Sequence, residues 1–410
     1  MRALIVDPSL HAVGGHHYNA AEKLTRDLSE LGIAYEVLGS VHADAQTRDD
    51  LGVKPCFSLS VYSRSAWTHR EFLRSVDETF NELVRYFRWR RHKPSLLILP
   101  CCDQALALAI ARYIGQLAAR WQPHILLWLL FAPNPNASID DATIGNLFAE
   151  YRQAFAALRA AIGDHRKLIV HCETELMANA YRDAIDVDIA VVPGPSMVNR
   201  THLAQHRTGS GRPTIMCVGH ANAPKGYDLL PGSIERVLRV RQDVVFRIHG
   251  MHGHRDAQRN DAVFETLARI GPQVEVDTRI LVTDEYIQLL QRADLLLLPY
   301  DPLIYRARGS GVFNEATTLG IPMVVTSACG FARAAFDERR AIPIESYDCD
   351  GVADAIIRAL DVLPSLAARA SSVSQAMCSG GTTTQILSEL LTAMESASGR
   401  SGRQDTLHRR

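Results

Sequence analysis

Tyr305-Arg-Ala-Arg-Gly-Ser-Gly-Val-Phe-Asn-Glu-Ala-Thr-Thr-Leu-Gly-Ile-Pro-Met-Val-Val325 is the stretch that decides the fold. It follows an apolar run at residues 293–300 that is short, continuous and closed by a proline, as in a buried strand. A second apolar run covers residues 322–326. Between the two runs, the pattern predicts a helix of about ten residues that begins near Ser310 and ends at Gly320.

Small and cationic residues surround the predicted start of this helix. Ser310 and Gly311 place small side chains where the first N–H groups point outward, and Arg306 and Arg308 lie just upstream. Unpaired amides beside guanidiniums bind phosphate or diphosphate. Glu315 follows about one turn into the helix, where its carboxylate could accept hydrogen bonds from two vicinal hydroxyls. Each residue alone could be only a cap, a solvated cation or a surface carboxylate, but their common order favours a nucleoside-diphosphate site.

Length and composition indicate an ordinary globular protein. The 410 residues accommodate two domains of about 200 residues each, and 47% of them are hydrophobic and 22% charged. The net charge of −1 argues against broad nucleic-acid binding. The eight cysteines show no Cys-x-x-Cys spacing, which favours reduced, buried thiols over disulfides or zinc. No signal peptide or membrane span is evident, so the sequence predicts a cytoplasmic protein. No cofactor and no metal are expected.

Two units of strand, loop and helix open the two halves of the chain. In the first, residues 3–6 form the strand, and a loop with Gly14 and Gly15 precedes the helix; this loop is not a dinucleotide fingerprint. His16 and His17 come next, and at least one of them is expected to be a solvated residue at the helix start.

In the second unit, an apolar strand at 214–218 leads into Gly219 and His220, and then Lys225 and Gly226 precede the next helix. Lys-Gly is common in loops, so the pair carries weight only through its place after a strand.

Breakers and polar segments divide the chain. Pro-Gly-Pro closes the first half, a polar stretch without periodicity follows, and the final residues are rich in Ser, Gly and Arg. The predicted fold class is α/β, with two doubly wound Rossmann-like domains that face a cleft. The predicted segments are an N-terminal domain at 1–198, a linker at 199–212, a C-terminal domain at 213–375, a C-terminal helix at 376–398 and a disordered tail at 399–410.

The segment that begins at Glu315 resembles the nucleotide-sugar signature of glycosyltransferase family 4, whose members are retaining enzymes with the GT-B fold. That signature is Glu-Ala, three residues, Gly, any residue, Pro and two valines. The resemblance implies that Glu315 holds the ribose hydroxyls of the donor. Family members usually carry another glutamate eight residues earlier, near the donor sugar, where this chain has Ala307. The residues Tyr305, Arg308, Ser310 and Gly311 are similar to those of a subset of bacterial members that grip the diphosphate differently.

Other parts of the chain resemble the same family. A glycine-rich loop after the first strand faces the cleft in that family, which makes His16 the histidine expected there. Lys225 matches a lysine that holds the donor diphosphate, whereas His220 replaces the usual arginine and Arg308 could supply the missing guanidinium. A histidine common at the end of the strand predicted at 125–131 is replaced by Phe131. The predicted donor-binding residues are Gly14, Gly15, Gly219, Lys225, Tyr305, Arg308, Ser310, Gly311, Val312 and Glu315.

The sequence therefore predicts a glycosyltransferase that moves a sugar from a nucleotide-diphosphate donor to an acceptor hydroxyl on a glycan or a lipid-linked molecule. The resemblance suggests bacterial polysaccharide or glycolipid synthesis. Lys225, Arg308 and His16 are the predicted catalytic residues, and no Asp-x-Asp motif follows a strand, which favours a metal-independent reaction. The changes at Ala307 and Phe131 leave an alternative open, a catalytically weak or inactive nucleotide-sugar-binding subunit. A sugar-nucleotide epimerase is a third interpretation, ranked last.

A cluster of cations and aromatic residues at 85–93 ends a long helix predicted from Trp67 to His92. Cations at the C-terminal end of a helix are favoured by its dipole, so a solvated face is the simpler interpretation. The alternative is a peripheral contact with an anionic inner-membrane surface. It would bring the protein to lipid-linked acceptors, which many relatives use.

Overall fold

A computed structural model shows two domains, each built on a parallel sheet. It describes residues 1–61, 68–88, 90, 93–129, 141–182, 185–194, 196–198, 202, 211–252, 257–378, 383–392 and 394. The predicted tail at 399–410 and Phe131 lie outside these residues, as does most of the predicted linker. No helix in the described part of the chain is long and apolar enough to cross a membrane.

The first domain holds a sheet in the order β3-β2-β1-β4-β5-β6-β7, and every described pairing in it is parallel. Its strands are β1 (Arg2–Val6), β2 (Ala34–Ser40), β3 (Val53–Phe57), β4 (Leu96–Leu99), β5 (His124–Leu129), β6 (Leu168–Cys172) and β7 (Ile189–Val191). Its helices are α1 (Gly15–Glu30), α2 (Ala45–Leu51), α3 (His69–Phe87), α4 (Gln104–Gly115), α5 (Asp141–Ile162) and α6 (Glu175–Arg182).

The second domain repeats this arrangement in a parallel sheet ordered β12-β10-β8-β13-β14-β15, with β9 and β11 paired separately. Its strands are β8 (Thr214–Cys217), β9 (His220–Ala221), β10 (Val245–His249), β11 (Met251–His252), β12 (Val274–Asp277), β13 (Leu295–Leu298), β14 (Met323–Thr326) and β15 (Ala341–Ile344). Its helices are α7 (Leu230–Val240), α8 (Ala257–Ile270), α9 (Thr283–Leu290), α10 (Pro302–Tyr305), α11 (Gly311–Leu319), α12 (Arg333–Asp337), α13 (Cys349–Asp361) and α14 (Leu363–Cys378), and residues 383–392 form α15.

Both sheets therefore have a doubly wound order in which the first strand in sequence lies beside the fourth, which confirms the predicted fold class. At that switch point the loops leave the sheet in opposite directions and open a crevice at the carboxyl ends of the strands. The crevice of the first domain lies between β1 and β4, and that of the second lies between β8 and β13.

The two apolar runs and the segment between them form the predicted strand, helix and strand, which are β13, α11 and β14. The four leucines of β13 are fully buried, as in a central parallel strand covered on both faces. Helix α11 begins after Ser310, whose Oγ accepts a hydrogen bond from the Phe313 N–H at 3.2 Å. It ends at Gly320, which has φ of 70° and closes the helix in the left-handed conformation.

The long helix predicted from Trp67 to His92 is shorter in the structure, where α3 ends at Phe87. The backbone N–H of Arg90 and Nζ of Lys93 both donate to the Phe87 carbonyl, at 3.2 Å each. These bonds satisfy the Phe87 carbonyl at the end of the helix, and Arg90 and Lys93 lie outside the helix.

The chain crosses between the two domains more than once. Met197 and Val198, which the sequence assigns to the first domain, pack in the core of the second. Helix α15 returns to the first domain, where Leu387 and Leu390 join its core and Thr384 Oγ1 donates to Asp27 Oδ1 at 3.0 Å. The exact limits predicted for the linker stay a prediction, because residues 199–201 and 203–210 lie outside the described part of the chain.

Candidate functional site

A cavity of about 430 Å³ lies where the carboxyl ends of the two sheets face each other. Its walls come from the loop after β1, from the end of β6, and from the loops after β8, β12 and β13. Every residue predicted from the sequence as catalytic or donor-binding lines it: Gly14, Gly15, His16, Gly219, Lys225, Tyr305, Arg308, Ser310, Gly311, Val312 and Glu315. Two distant parts of the chain therefore meet around one space.

The N-terminus of α11 points its amides into this cavity. The first intrahelical bond runs from the Asn314 N–H to the Ser310 carbonyl at 3.0 Å, so the amides of Gly311 and Val312 precede the hydrogen-bonded turns. Such amides and the helix dipole favour an anion.

Only one of the two arginines expected beside this helix lines the cavity. Arg308 does so, whereas the side chain of Arg306 is exposed and lies outside the lining. The expectation for Arg306 is wrong because the chain makes an unpredicted helical turn, α10, just before it. The carbonyl of Arg306 then accepts a hydrogen bond from the Gly330 N–H at 3.1 Å, which fixes the turn.

Lys225 supplies a second cation from the loop after β8. Its backbone N–H donates to Asn222 Oδ1 at 3.2 Å, which holds the short turn in which it lies. Its Nζ lies 5.6 Å from the centre of the Tyr300 ring and against Gly219, where a Cβ would come within 2.6 Å of Nζ. Burial lowers the pKa of Lys225 from its usual value. An incoming anion would stabilise the charged form.

Glu315 lies on α11 and is 4% exposed. Tyr286 on α9 donates a hydrogen bond from Oη to Glu315 Oε2 at 2.7 Å. Burial raises the pKa of Glu315 to about 7, although the Tyr286 hydroxyl and the charge of Lys225 both act to lower it. The carboxylate is therefore held in a fixed orientation and is close to its titration point at neutral pH.

The loop after β1 brings His16 to the opposite wall. Gly14 and Gly15 have φ of 85° and 73°, values that favour glycine at both positions. His16 is open to the cavity, but the protein around it lowers its pKa well below the usual value, and four neighbours lower it further: His17, His220, Lys225 and Arg308. The neutral form of the His16 imidazole is therefore favoured.

His16 is exposed, which agrees with the expectation that at least one of these histidines is solvated at the helix start, whereas His17 is not. His17 is buried, and its Nδ1 lies 2.7 Å from Oδ2 of Asp7, which is also buried. A carboxylate at the end of β1 attracts the imidazole inward, and His16 is the one of the pair that reaches the open space.

Glu173, Tyr286 and Asn314 are polar residues of the cavity that were not predicted from the sequence. Glu173 follows β6 directly, and its place at the carboxyl end of a parallel strand was a signal that could have identified it. Asn314 and Tyr286 have no comparable signal because each acts through a partner far away in the sequence. Ala307, where a glutamate was expected, presents its carbonyl to Thr174 Oγ1 of the first domain at 2.9 Å.

Among the described residues, no three His, Cys, Asp or Glu side chains come together as a metal site. The cations that line the cavity are Lys225 and Arg308. The arrangement can hold a diphosphate between these cations and the start of α11, with a carboxylate beyond it for hydroxyl groups.

Residues 212–362 match a family model. It is the model of glycosyl transferases group 1, and the match includes Lys225, Arg308, Ser310 and Glu315. No curated protein matches the chain by sequence.

Solved glycosyltransferase structures share the architecture of the whole chain. Sucrose-phosphate synthase from Thermosynechococcus elongatus superimposes with a TM-score of 0.65 at 12% identity, covering 97% of this chain and 100% of that one. The α,α-trehalose 6-phosphate synthase from Burkholderia multivorans gives 0.66 at 14% identity, covering 98% of both chains. HepE from Anabaena, solved in complex with UDP and glucose, gives 0.60 at 14% identity, covering 97% of this chain and 99% of that one. At these identities the likeness concerns the fold, which is GT-B.

Proposed function

We propose that the protein transfers a glycosyl unit from a nucleoside-diphosphate sugar to an acceptor hydroxyl, with retention at the anomeric carbon as in family 4. The observation that carries the proposal is the convergence of Lys225, Arg308 and the start of α11 on one cavity, within the segment that matches glycosyl transferases group 1. The complex of HepE with UDP and glucose supports a nucleotide donor for this fold.

The described residues suggest how the reaction would proceed. The diphosphate would lie against the amides of Gly311 and Val312, between Arg308 and Lys225. As the glycosidic bond breaks, negative charge grows on the leaving diphosphate, and these preorganised positive groups stabilise it. His16 faces them from the first domain as a neutral donor or acceptor of one hydrogen bond. Glu315 would accept hydrogen bonds from the ribose.

A panel of UDP-, GDP- and ADP-sugars tests the proposal by release of the nucleoside diphosphate, first without an acceptor and then with candidate glycan or lipid-linked acceptors. Lys225→Ala and Arg308→Ala should each lower turnover by at least about tenfold. Their melting temperatures should stay close to that of the wild type. A steep fall in melting with little change in turnover per folded molecule would assign both cations a structural role.

Ala307 favours a second candidate, a subunit that binds nucleotide sugars without turning them over. The segment 306–310 has no carboxylate of its own, so a group that the related enzymes place near the donor sugar is missing from this loop. Binding of a nucleotide sugar by calorimetry, with no product from any acceptor tested, would support this candidate over the first.

The acceptor belongs to the same proposal. A lipid-linked acceptor would require the protein to visit a membrane, and residues 85–93 are the surface proposed to do so. In the described part of this segment, Arg85 and Arg88 are exposed, whereas Arg90 donates to both carboxylate oxygens of Glu36 at 2.8 and 2.9 Å. Arg85 and Arg88 are thus the cations that could meet anionic headgroups.

A further inference from the structure

Glu173 contributes a carboxylate to the cavity from the opposite domain. Of the described residues that line the cavity, only Glu173 and Glu315 carry carboxylates. Glu173 follows β6 directly, and its neighbour Thr174 donates from Oγ1 to the Ala307 carbonyl at 2.9 Å. This bond ties the end of β6 to the loop that leads into α11, so that Glu173 lies beside that loop.

Two glycines, one from each domain, make room for this carboxylate. A Cβ built on Gly194 would overlap with Glu173 Oε1, and a Cβ built on Gly309 would overlap with Oε2. Neither glycine has a positive φ, so backbone conformation does not require them. The close approach of the carboxylate accounts for both positions.

The two oxygens of Glu173 have different surroundings. Oε1 accepts hydrogen bonds from the Gly194 N–H at 3.0 Å and from Asn314 Nδ2 at 3.1 Å. Among the described residues, no hydrogen bond or ion pair reaches Oε2. Burial raises the pKa of Glu173, and the two bonds to Oε1 act against that shift. A largely enclosed carboxylate with one fixed oxygen and one without a protein partner is typical of a ligand site.

The chemistry of the cavity restricts what Oε2 can bind. A carboxylate repels phosphate, so it is not part of the diphosphate site formed by Arg308, Lys225 and α11. It does accept hydrogen bonds from hydroxyl groups, and the sugar is the part of the donor that carries them beyond the diphosphate. Because Oε2 lies against Gly309, next to both Arg308 and Ser310, it is adjacent to the proposed phosphates.

We propose that Glu173 Oε2 accepts hydrogen bonds from hydroxyl groups of the donor sugar, so that the first domain supplies the carboxylate that the second lacks at Ala307. The inference rests on the proposed function. It makes the sugar contact dependent on apposition of the two domains, since the phosphates are held by one domain and the sugar by the other.

Glu173→Gln tests the contact. The glutamine keeps an oxygen for Gly194 and Asn314 and replaces only Oε2, because a flipped amide would turn its NH₂ toward the Gly194 N–H. Dissociation constants would be measured by calorimetry for UDP and UDP-glucose, GDP and GDP-mannose, and ADP and ADP-glucose, using the pair that binds the wild type. The nucleoside diphosphate should bind within about twofold of wild type, and the nucleotide sugar at least about tenfold more weakly. Glu175→Gln, two residues away and exposed, is the matched control and should change neither constant.

The possible results distinguish a failure of the inference about Glu173 from a failure of the proposed function. Suppose that the wild type binds a nucleoside diphosphate and its nucleotide sugar. If Glu173→Gln weakens the binding of both ligands equally, or of neither ligand, the inference is wrong and the proposed function stands. If the wild type binds no pair, the proposed function fails, and the inference with it. Unchanged nucleotide binding by Glu173→Gln also shows that the variant is folded.

Discussion

Glu315 combines two opposing requirements. Its carboxylate accepts hydrogen bonds from the two ribose hydroxyls most strongly when it is ionised, yet the site around it is closed enough to raise its pKa to about 7. Tyr286 and Lys225 favour ionisation but do not outweigh the burial. The protein therefore keeps a destabilised anion ready for a ligand, a pattern common at binding sites.

Nucleotide-sugar affinity should therefore rise between pH 6 and pH 8, because Glu315 ionises over that range while the diphosphate diester of the ligand does not. Glu315→Gln should weaken binding by about 1.5–3 kcal/mol at pH 8 and by less at pH 6. Calorimetry at the two pH values measures both effects. An equal loss at both pH values would show that ionisation of Glu315 does not govern binding.

Without a ligand, the stability of the folded protein should fall as the pH rises, which is the opposite of the change expected for affinity. The folded state raises the pKa of Glu315 from 4.5 to about 7, so the folded state binds its proton more tightly. This contribution to stability is complete below about pH 4.5 and is lost as the pH rises through about 7, a difference on the order of 3 kcal/mol. Glu315→Gln should thus raise the free energy of unfolding at pH 8 and not at pH 5, as measured in urea. A gain in the free energy of unfolding of the same size at pH 5 and at pH 8 would contradict the raised pKa assigned to Glu315.

Residues of the cavity differ in how far the sequence could predict them. Glu315, Ser310 and Lys225 stand at recognisable distances from a strand or a helix start, so local pattern was enough to select them as candidates, and all three line the cavity. Glu173 has a local signal in its place after β6, but its orientation depends on a contact with Asn314, 141 positions away along the chain. Such a pair is created by packing of the two domains, and no spacing within the sequence encodes it.

The cavity is lined by the ends of strands and by the start of helix α11. The start of α11 is held by its N-terminal cap, Ser310. Ser310→Ala removes the hydrogen bond to the Phe313 N–H and should cost about 1 kcal/mol of stability. It should also weaken nucleoside-diphosphate binding, because the amides of Gly311 and Val312 lose their fixed orientation. Calorimetry and urea unfolding report the two effects.

Thr68→Ala is the matched control for the cap. Thr68 Oγ1 accepts from the Glu71 N–H at the start of α3, far from the cavity, so its loss should lower stability by a similar amount and leave binding unchanged. If Ser310→Ala behaved in the same way, the start of α11 would not be part of the anion site.

The end of α3 should carry any attraction to membranes. Arg85→Glu combined with Arg88→Glu should reduce sedimentation with vesicles of phosphatidylcholine and 30% phosphatidylglycerol, at roughly 1 kcal/mol per cation. Arg74→Glu, exposed on the same helix, should have little effect. Equal binding by all three proteins, or no binding by the wild type, would remove residues 85–93 as a membrane contact.

At the scale of the whole molecule, the sequence predicted the two α/β domains correctly because buried parallel strands are short, apolar and closed by glycine or proline. Boundaries were harder to predict. Met197 and Val198 follow a Pro-Gly-Pro breaker, yet they pack in the second core. A breaker marks where an element ends, whereas the choice of core depends on which surface the following apolar residues meet.

Helix α15 should stabilise the first domain although it follows the second in sequence. Leu387→Ala removes a fully buried side chain from the core that includes Leu24 and Trp128, and should cost about 2–5 kcal/mol. Fluorescence of the tryptophans during thermal unfolding should show the loss. Glu389→Ala, on the exposed side of the same helix, should melt like the wild type. Identical melting of the two variants would show that α15 is dispensable for that core.

The position of Leu387 and Leu390 has a consequence for biosynthesis. A ribosome releases the first domain long before it translates codon 387, so that domain emerges with part of its hydrophobic interior uncovered. Its completion must wait until the second domain has been made and the chain has returned. A nascent chain stalled after residue 378 should therefore hold an unfinished amino-terminal half, which is the form that a chaperone would recognise.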